Sequence, residues 1–153
     1  MQRCIFFILL LSSLLIACNE NKTETAHTST NASSMAHHEH GLLDISHFGD
    51  DILTPVIDLT VNEDAMTGWN IVINTENFLF APEKVNTENT ANEGHAHLYV
   101  DGFKFSRIYS QWFHLKALTP GEHTLRITLN YNDHSLVGHQ GKEISAIANI
   151  IQN

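Results

Sequence analysis

The chain of 153 residues has the length of one ordinary domain, which excludes a large multi-domain enzyme. Its 42% hydrophobic and 16% charged residues are typical of a globular protein, not of a disordered one. With 8 Lys and Arg against 17 Asp and Glu, the formal net charge is -9, which argues against nucleic-acid binding through backbone phosphates. The count of 11 His is unusual in a chain otherwise poor in bases.

Residues 1–17 are predicted to be a secretory signal peptide. Arg3 supplies its positive charge, and the apolar run that follows is shorter than the about 20 residues of a transmembrane helix. Residues 15–18 resemble the bacterial lipobox, in which the Cys is diacylated and becomes the first residue of the mature chain. The resemblance implies a membrane anchor on Cys18. Asn19 is not the Asp that retains lipoproteins at the inner membrane, so we expect the outer membrane, facing the periplasm.

Sulfur chemistry is predicted to be absent from the mature domain. Cys4 would be removed with the signal peptide, and Cys18 would carry the lipid. A domain without a thiol has no disulfide, no Cys nucleophile, no thiolate zinc site and no blue-copper centre, because each of these needs a Cys sulfur.

Residues 18–51 are predicted to be a flexible tether that ends in a transitional segment. Residues 19–34 are rich in Asn, Thr, Ser and Glu and carry no large apolar side chain, which is typical of a disordered spacer. A His-rich tract follows at residues 37–40. The apolar residues expected to pack on the domain as a short helical turn are Leu42, Leu43, Ile45 and Phe48. The domain itself is predicted to span residues 52–153.

The domain is predicted to be all-β. Short alternating or β-branched runs are separated by turn signals about every 8–12 residues, which is typical of a two-sheet antiparallel β-sandwich of about seven strands. Asp101 and Gly102 form a strong signal for a tight hairpin. The runs read as extended are residues 56–61, 69–75, 78–82, 95–100, 103–109, 111–115, 123–130 and 143–151.

Two parts of the chain resemble known proteins. Residues 118–125 resemble the L-x-P-G-x-[HY]-T-[LV] turn that precedes a late strand in many immunoglobulin-like domains. Residues 94–102 and 132–135 resemble a group of small exported bacterial domains of uncharacterised function. The second resemblance covers residues 69–150 and implies an immunoglobulin- or cupredoxin-like sandwich without an established activity.

His95 and His97 are the first candidates for metal ligands. Residues two apart on a strand share a face, with side chains about 6–7 Å apart, and one ion with M–N bonds near 2 Å can bridge two imidazoles at that separation. The third ligand is expected from a neighbouring segment, with His114 and His134 as the candidates. Asp133 is a candidate for an oxygen ligand or for a group that orients a His. Nitrogen-only ligation suits copper or zinc.

Each of these His residues also has a structural interpretation. His95 and His97 fit the polar face of a half-exposed sheet, as strand alternation requires. His114 follows two aromatic residues and fits a buried imidazole bonded to the backbone. His134 lies in a predicted turn, where the preceding Asn and Asp are expected for turn chemistry alone.

The sequence therefore favours a non-enzymatic, lipid-anchored envelope protein that binds copper or zinc for buffering, delivery or sensing. Neither a pair of neighbouring carboxylates nor a G-x-S-x-G segment indicates an enzyme. The alternative is an interaction module that binds an envelope protein or a glycan, with Tyr109 and Trp112 as a candidate aromatic platform. Convergence of the candidate imidazoles on one point would favour the metal over the interaction module.

Overall fold

The computed structural model describes residues 41–153, and its regular elements are β-strands and two short 3₁₀ turns. Within those residues no helix is long and apolar enough to cross a membrane. The predicted signal peptide, Cys4, the predicted lipidation site Cys18 and the His-rich tract lie outside the described residues.

Eleven strands lie within residues 41–153. They are β1 Leu42–Asp44, β2 Val56–Glu63, β3 Trp69–Glu76, β4 Leu79–Phe80, β5 Glu93–Val100, β6 Phe103–Ile108, β7 Trp112–Leu115, β8 Gly121–Asn130, β9 Leu136–His139, β10 Lys142–Glu143 and β11 Ser145–Gln152. The 3₁₀ turns are Ile45–Phe48 and Pro82–Lys84. The all-β prediction is confirmed, but β1, β9 and β10 add short strands that alternation did not reveal.

The strands form a larger and a smaller sheet. The larger sheet has eight strands in the order β1-β9-β8-β5-β4, with β10 beside β9, β11 beside β8 and β6 beside β5. The smaller sheet is antiparallel in the order β2-β3-β7. The prediction of purely antiparallel sheets is wrong, because β1 runs parallel to β9 and β4 parallel to β5. A parallel pair joins segments distant in the chain, so no local turn signal announces it.

One apolar core contains side chains from both sheets. Ile71 and Ile73 of β3 and Leu115 of β7 belong to the same buried cluster as Leu98 of β5 and Ile127 of β8. Along β3, buried or half-buried side chains alternate with exposed or half-buried ones, as a strand with one face on the core requires. The alternation read from the sequence therefore identified the core face of this strand.

The segment before β2 packs against the core. β1 pairs with β9, and Ile45 in the following 3₁₀ turn is only 4% exposed. The Phe48 ring lies 5.2 Å from the Tyr131 ring, centroid to centroid. The expected packing of a short helical turn is confirmed for Ile45 and Phe48, whereas Leu42 and Leu43 lie in strand β1 and Leu42 is exposed. Contacts with the core therefore begin ahead of residue 52, in the segment assigned to the tether.

A tight hairpin joins β5 and β6, as predicted. Asp101 and Gly102 have φ angles of 52° and 84°, the left-handed values that a type I′ turn needs at both central positions. The hairpin places β6 on one side of β5 while β8 pairs along the other. β5 is therefore an interior strand of the sheet, and its side chains are buried on both faces except at the half-buried Tyr99.

Candidate metal centre

Strand β5 places two imidazoles side by side. His95 and His97 share a face of the strand, and both are 0% exposed. Their Nε2 atoms lie 3.0 Å apart. Across the ladder to β8, His95 is opposite Asn130 and His97 is opposite Thr128. The interpretation as a half-exposed sheet face is therefore wrong for His95 and His97, because both side chains are buried.

A third imidazole comes from the turn after β8. His134 lies in a loop closed by a hydrogen bond from the Tyr131 N–H to the Ser135 carbonyl. Its φ of 73° is in the left-handed region, which a side chain with a Cβ seldom adopts. The Asn130 side-chain amide donates to the His134 carbonyl at 3.0 Å and holds the turn in place. As a result, His134 Nδ1 lies 2.8 Å from His95 Nε2.

Asn86 orients the His134 ring. The His134 Nε2–H donates to the Asn86 side-chain oxygen at 2.8 Å, which leaves the Nδ1 lone pair directed at the other two imidazoles. The Asn86 backbone N–H donates to the Asn132 carbonyl at 2.8 Å, so the loop and the turn that carry this pair are joined. A hydrogen bond to the second ring nitrogen is the usual way in which a protein fixes a metal-binding His.

An ion pair between exposed Lys84 and buried Glu93 anchors the Asn86 loop to β5. Lys84 Nζ lies 2.7 Å from one carboxylate oxygen of Glu93 and 2.8 Å from the other. Burial raises the pKa of Glu93, but the hydrogen bonds and the charge of Lys84 outweigh it, so that the pKa is lowered overall. Glu93 therefore stays a carboxylate, and it fixes the loop two residues before Asn86.

Gly94 lets β5 approach β8 next to the cluster. A Cβ at this position would collide with the Asn130 carbonyl oxygen. Asn130 in turn pairs with His95 across the ladder and holds the His134 carbonyl. A side chain at residue 94 would thus push apart the elements that bring His95 and His134 together.

One ring nitrogen from each of His95, His97 and His134 points into the cluster, and each carries either a lone pair or a proton. Lys104 Nζ donates to His97 Nε2 at 3.2 Å, so that nitrogen presents a lone pair, as His134 Nδ1 does. His95 Nε2 lies between the two, and a single proton on it can serve only one neighbour at a time. Without a metal, Lys104 serves His97 Nε2 and a proton on His95 Nε2 serves His134 Nδ1; a cation at the centre would bind all three nitrogens in place of these hydrogen bonds.

The distances fit a metal ion. One ligand nitrogen from each of the three His residues lies within 4.8 Å of the others. In a tetrahedral zinc site with Zn–N bonds of about 2.0–2.1 Å, ligand nitrogens are about 3.3 Å apart. The contacts of 3.0 and 2.8 Å at His95 therefore need to widen by a few tenths of an ångström, while the third pair, His97 and His134, lies within 4.8 Å and would have to close on the ion.

His97 is held in its neutral, metal-binding form. Burial, and after it the nearby charge of Lys104, lower the pKa of His97 to about 2. Lys104 is itself perturbed, because partial burial and the charge of Arg107 lower its pKa. Imidazole must lose its proton before it binds a metal, so at neutral pH no proton has to be displaced from His97.

Two other predicted site residues lie apart from the cluster. His114 is on the exposed face of β7 in the smaller sheet, where its Nε2–H donates to the Thr67 carbonyl at 3.0 Å. It is therefore bonded to the backbone, as its structural interpretation expected, but it is exposed. The Asp133 carboxylate accepts from the Ser135 N–H and hydroxyl and stabilises the turn instead of reaching the imidazoles.

Asn86 and Lys104 were not predicted from the sequence. Asn86 reaches the cluster from a loop that is remote in the chain, and no local motif marks it. A sequence signal for Lys104 exists in the predicted hairpin, whose register places it opposite Tyr99, on the face of β5 that carries His97.

Comparison with protein-family models, with curated proteins and with solved structures found no match. The immunoglobulin- or cupredoxin-like type therefore stays a prediction.

Proposed function

We propose that this domain binds one divalent metal ion, copper or zinc, through His95 Nε2, His97 Nε2 and His134 Nδ1. The observation that supports the proposal is the convergence of three ring nitrogens, within 4.8 Å of one another, among buried residues. Three neutral imidazoles hold a borderline ion without sulfur and leave a coordination position open. The role we propose for the bound ion is non-enzymatic: the domain holds or delivers the metal.

Calorimetric titration of the mature chain tests the proposal. His37, His38 and His40 are replaced by Ala so that the tract does not bind the added ion. We expect one equivalent of Zn²⁺ or Cu²⁺ to bind at pH 7.5 with a Kd well below about 0.1 mM, the limit expected for a preorganised multi-imidazole site. Binding weaker than that would contradict the proposal.

Two matched Asn variants give the titration its specificity. His134→Asn removes one ligand, while Asn tolerates the left-handed backbone of that turn. We expect it to weaken binding more than tenfold, since loss even of an orienting partner typically costs 10–100-fold. His114→Asn makes the same chemical change on the other sheet and is expected to leave the affinity unchanged. Equal losses in both variants would contradict the assignment of His134.

We further propose that the domain works at the bacterial cell envelope, anchored through lipid on Cys18, in the outer membrane and facing the periplasm. Support comes from the lipobox resemblance of residues 15–18 and from the preceding apolar run. We expect Cys18→Ser to release the protein into the soluble fraction, because an acidic domain has little affinity for anionic lipid. A variant that stays with the membrane would contradict the anchor.

A second candidate function is an interaction module for an envelope protein or a glycan. Exposed aromatic side chains favour it: Phe103 is 67% exposed and Trp112 is 63% exposed. Tyr109 is 39% exposed, and its ring also lies beside that of His95, at 5.8 Å between centroids. If the titration shows no metal binding, this module becomes the better account.

A further inference from the structure

Two basic side chains lie beside the imidazole cluster on strand β6. Arg107 is opposite His97 in the β5–β6 register, and Lys104 is opposite Tyr99. Lys104 Nζ reaches within 3.2 Å of His97 Nε2. Both residues are exposed, so an ammonium and a guanidinium stand between the buried ring nitrogens and solvent.

Neither of these cations is neutralised by a carboxylate among the described residues. Elsewhere in residues 41–153, Lys84 pairs with Glu93 and Arg126 pairs with Glu143. Lys104 instead donates to an imidazole, and Arg107 forms no ion pair with a described residue. Lys116 and Lys142 also form no ion pair with a described residue, so what distinguishes Lys104 and Arg107 is that they lie together beside the imidazoles.

A bound metal would add positive charge beside these two cations. Three neutral imidazoles leave the full charge of a divalent ion in place, with the Lys104 ammonium within a few ångströms of it. Like charges at that separation repel strongly in a partly buried site. An anion that ligates the metal and accepts hydrogen bonds from the two cations removes the repulsion and fills the open coordination position.

We propose that the metal-loaded site takes a small oxyanion, a carboxylate or a phosphate, as a further metal ligand held by Lys104 and Arg107. This inference rests on the proposed metal binding. Arg matches the two oxygens of a carboxylate or phosphate with two parallel donors, and Lys adds a point charge. Metal and anion then bind cooperatively, each raising the affinity for the other by the same factor.

Cobalt substitution makes the test spectroscopic. The full mature chain with the three tract His residues replaced by Ala is titrated with Co²⁺ at pH 7.5, and visible absorption reports its coordination. Sodium phosphate and sodium acetate are added in separate arms. We expect at least one anion to change the cobalt spectrum and to tighten Co²⁺ binding about tenfold, within the usual range of coupling between two sites.

Lys104→Met supplies the sharpest variant, because it removes the charge and keeps the length of the side chain. We expect it to bind Co²⁺ more tightly than the unmodified protein without added anion and to lose the tightening by the anion. Arg107→Gln, at an exposed position, is expected to reduce that tightening. Lys116→Met makes the same charge change after β7 of the smaller sheet and is expected to alter neither quantity.

The outcomes separate the two proposals. If no cobalt spectrum develops, metal binding itself fails. If cobalt binds but neither anion changes its spectrum or affinity, the anion inference fails while metal binding stands. An anion effect that persists unchanged in both Lys104→Met and Arg107→Gln would also overturn the inference. A response to phosphate alone identifies a phosphate ligand, and a response to acetate identifies a carboxylate ligand.

Discussion

Strand β5 separates two buried regions of opposite chemistry. On one face, Ala96 and Leu98 are 0% exposed in the apolar core shared with the smaller sheet. On the other face, His95 and His97 are equally buried and contact each other, His134 and Lys104. The same strand thus supports a conventional core and a desolvated polar cluster a few ångströms apart.

The difference shows that burial alone does not tell what a side chain contributes. The core face stabilises the fold through the removal of apolar area from water, which depends little on pH or on ions. On the histidine face, burying the imidazoles costs free energy. The contribution of this face to stability therefore depends on the protonation of the imidazoles and on a bound cation. Experiments that change one face and leave the other intact can separate the two.

The largest effect is expected when residues 41–51, which pack against the apolar core, are removed. A chain that starts at residue 52 lacks β1, the buried Ile45 and the Phe48 ring that contacts Tyr131. Loss of these apolar contacts is expected to lower the free energy of unfolding by about 4–6 kcal/mol. Urea unfolding of this chain and of one that starts at residue 41 measures the difference. Equal stabilities would show that the segment is only a tether.

Leu98→Ala is expected to cost about 3 kcal/mol. Leu98 is 0% exposed, and its truncation loses apolar contact and leaves a cavity between the sheets. No titratable group changes, so the loss is expected to be the same at pH 7.5 and pH 5.5 in urea unfolding. A loss that varies strongly with pH would mean that the two faces of β5 are not independent.

Acid is expected to destabilise the metal-free domain through its histidine face. Since the pKa of His97 is lowered to about 2, the unfolded state binds a proton below about pH 6.5 that the folded state does not. The free energy of unfolding therefore falls as the pH drops from 6.5, by up to about 1.4 kcal/mol per pH unit from this residue. Urea unfolding with a chelator present measures the slope. His97→Gln is expected to flatten it, and an unchanged slope in that variant would contradict the assignment.

The smallest effect is expected at His123, which lies outside the cluster. Both of its ring nitrogens donate, to the Thr119 carbonyl at 2.8 Å and to the Asp101 carboxylate at 2.7 Å. These two hydrogen bonds raise the pKa of His123, the opposite of His97. Its stabilisation is therefore present below about pH 6.5 and is lost as the pH rises through the raised pKa. We expect His123→Gln to lower the Tm at pH 6 and to have less effect at pH 9. A larger effect at pH 9 than at pH 6 would contradict the raised pKa of His123.

Local sequence predicted the parts of the fold and of the site that depend on alternation. The pattern from residue 95 to residue 100 placed His95 and His97 on one face of a strand, and the Asp101–Gly102 hairpin is present as expected. His134 was one of two candidates for the third imidazole. The choice between them depends on which turn lies over β5, which is set by the packing of β8 and not by any local pattern.

The remaining features depend on contacts between distant segments. The parallel pairing of β1 with β9 joins segments that are distant in the chain. The periodicity of either segment does not indicate this pairing. Full burial of the histidine face depends on the Asn86 loop and the His134 turn, which meet only in the folded protein. His114 was misplaced for a similar reason: alternation in β7 does not say which of its faces turns to the core.

Nitrogen-detected NMR of the imidazole rings tests the central claim most directly. One equivalent of Zn²⁺ is added at pH 7.5 to the mature chain in which the tract His residues are replaced. The account predicts that His95 Nε2, His97 Nε2 and His134 Nδ1 shift together to metal-bound values while the nitrogens of His114 and His123 do not change. Metal-bound shifts at His114 or His123, or no shift at the three clustered rings, would contradict it.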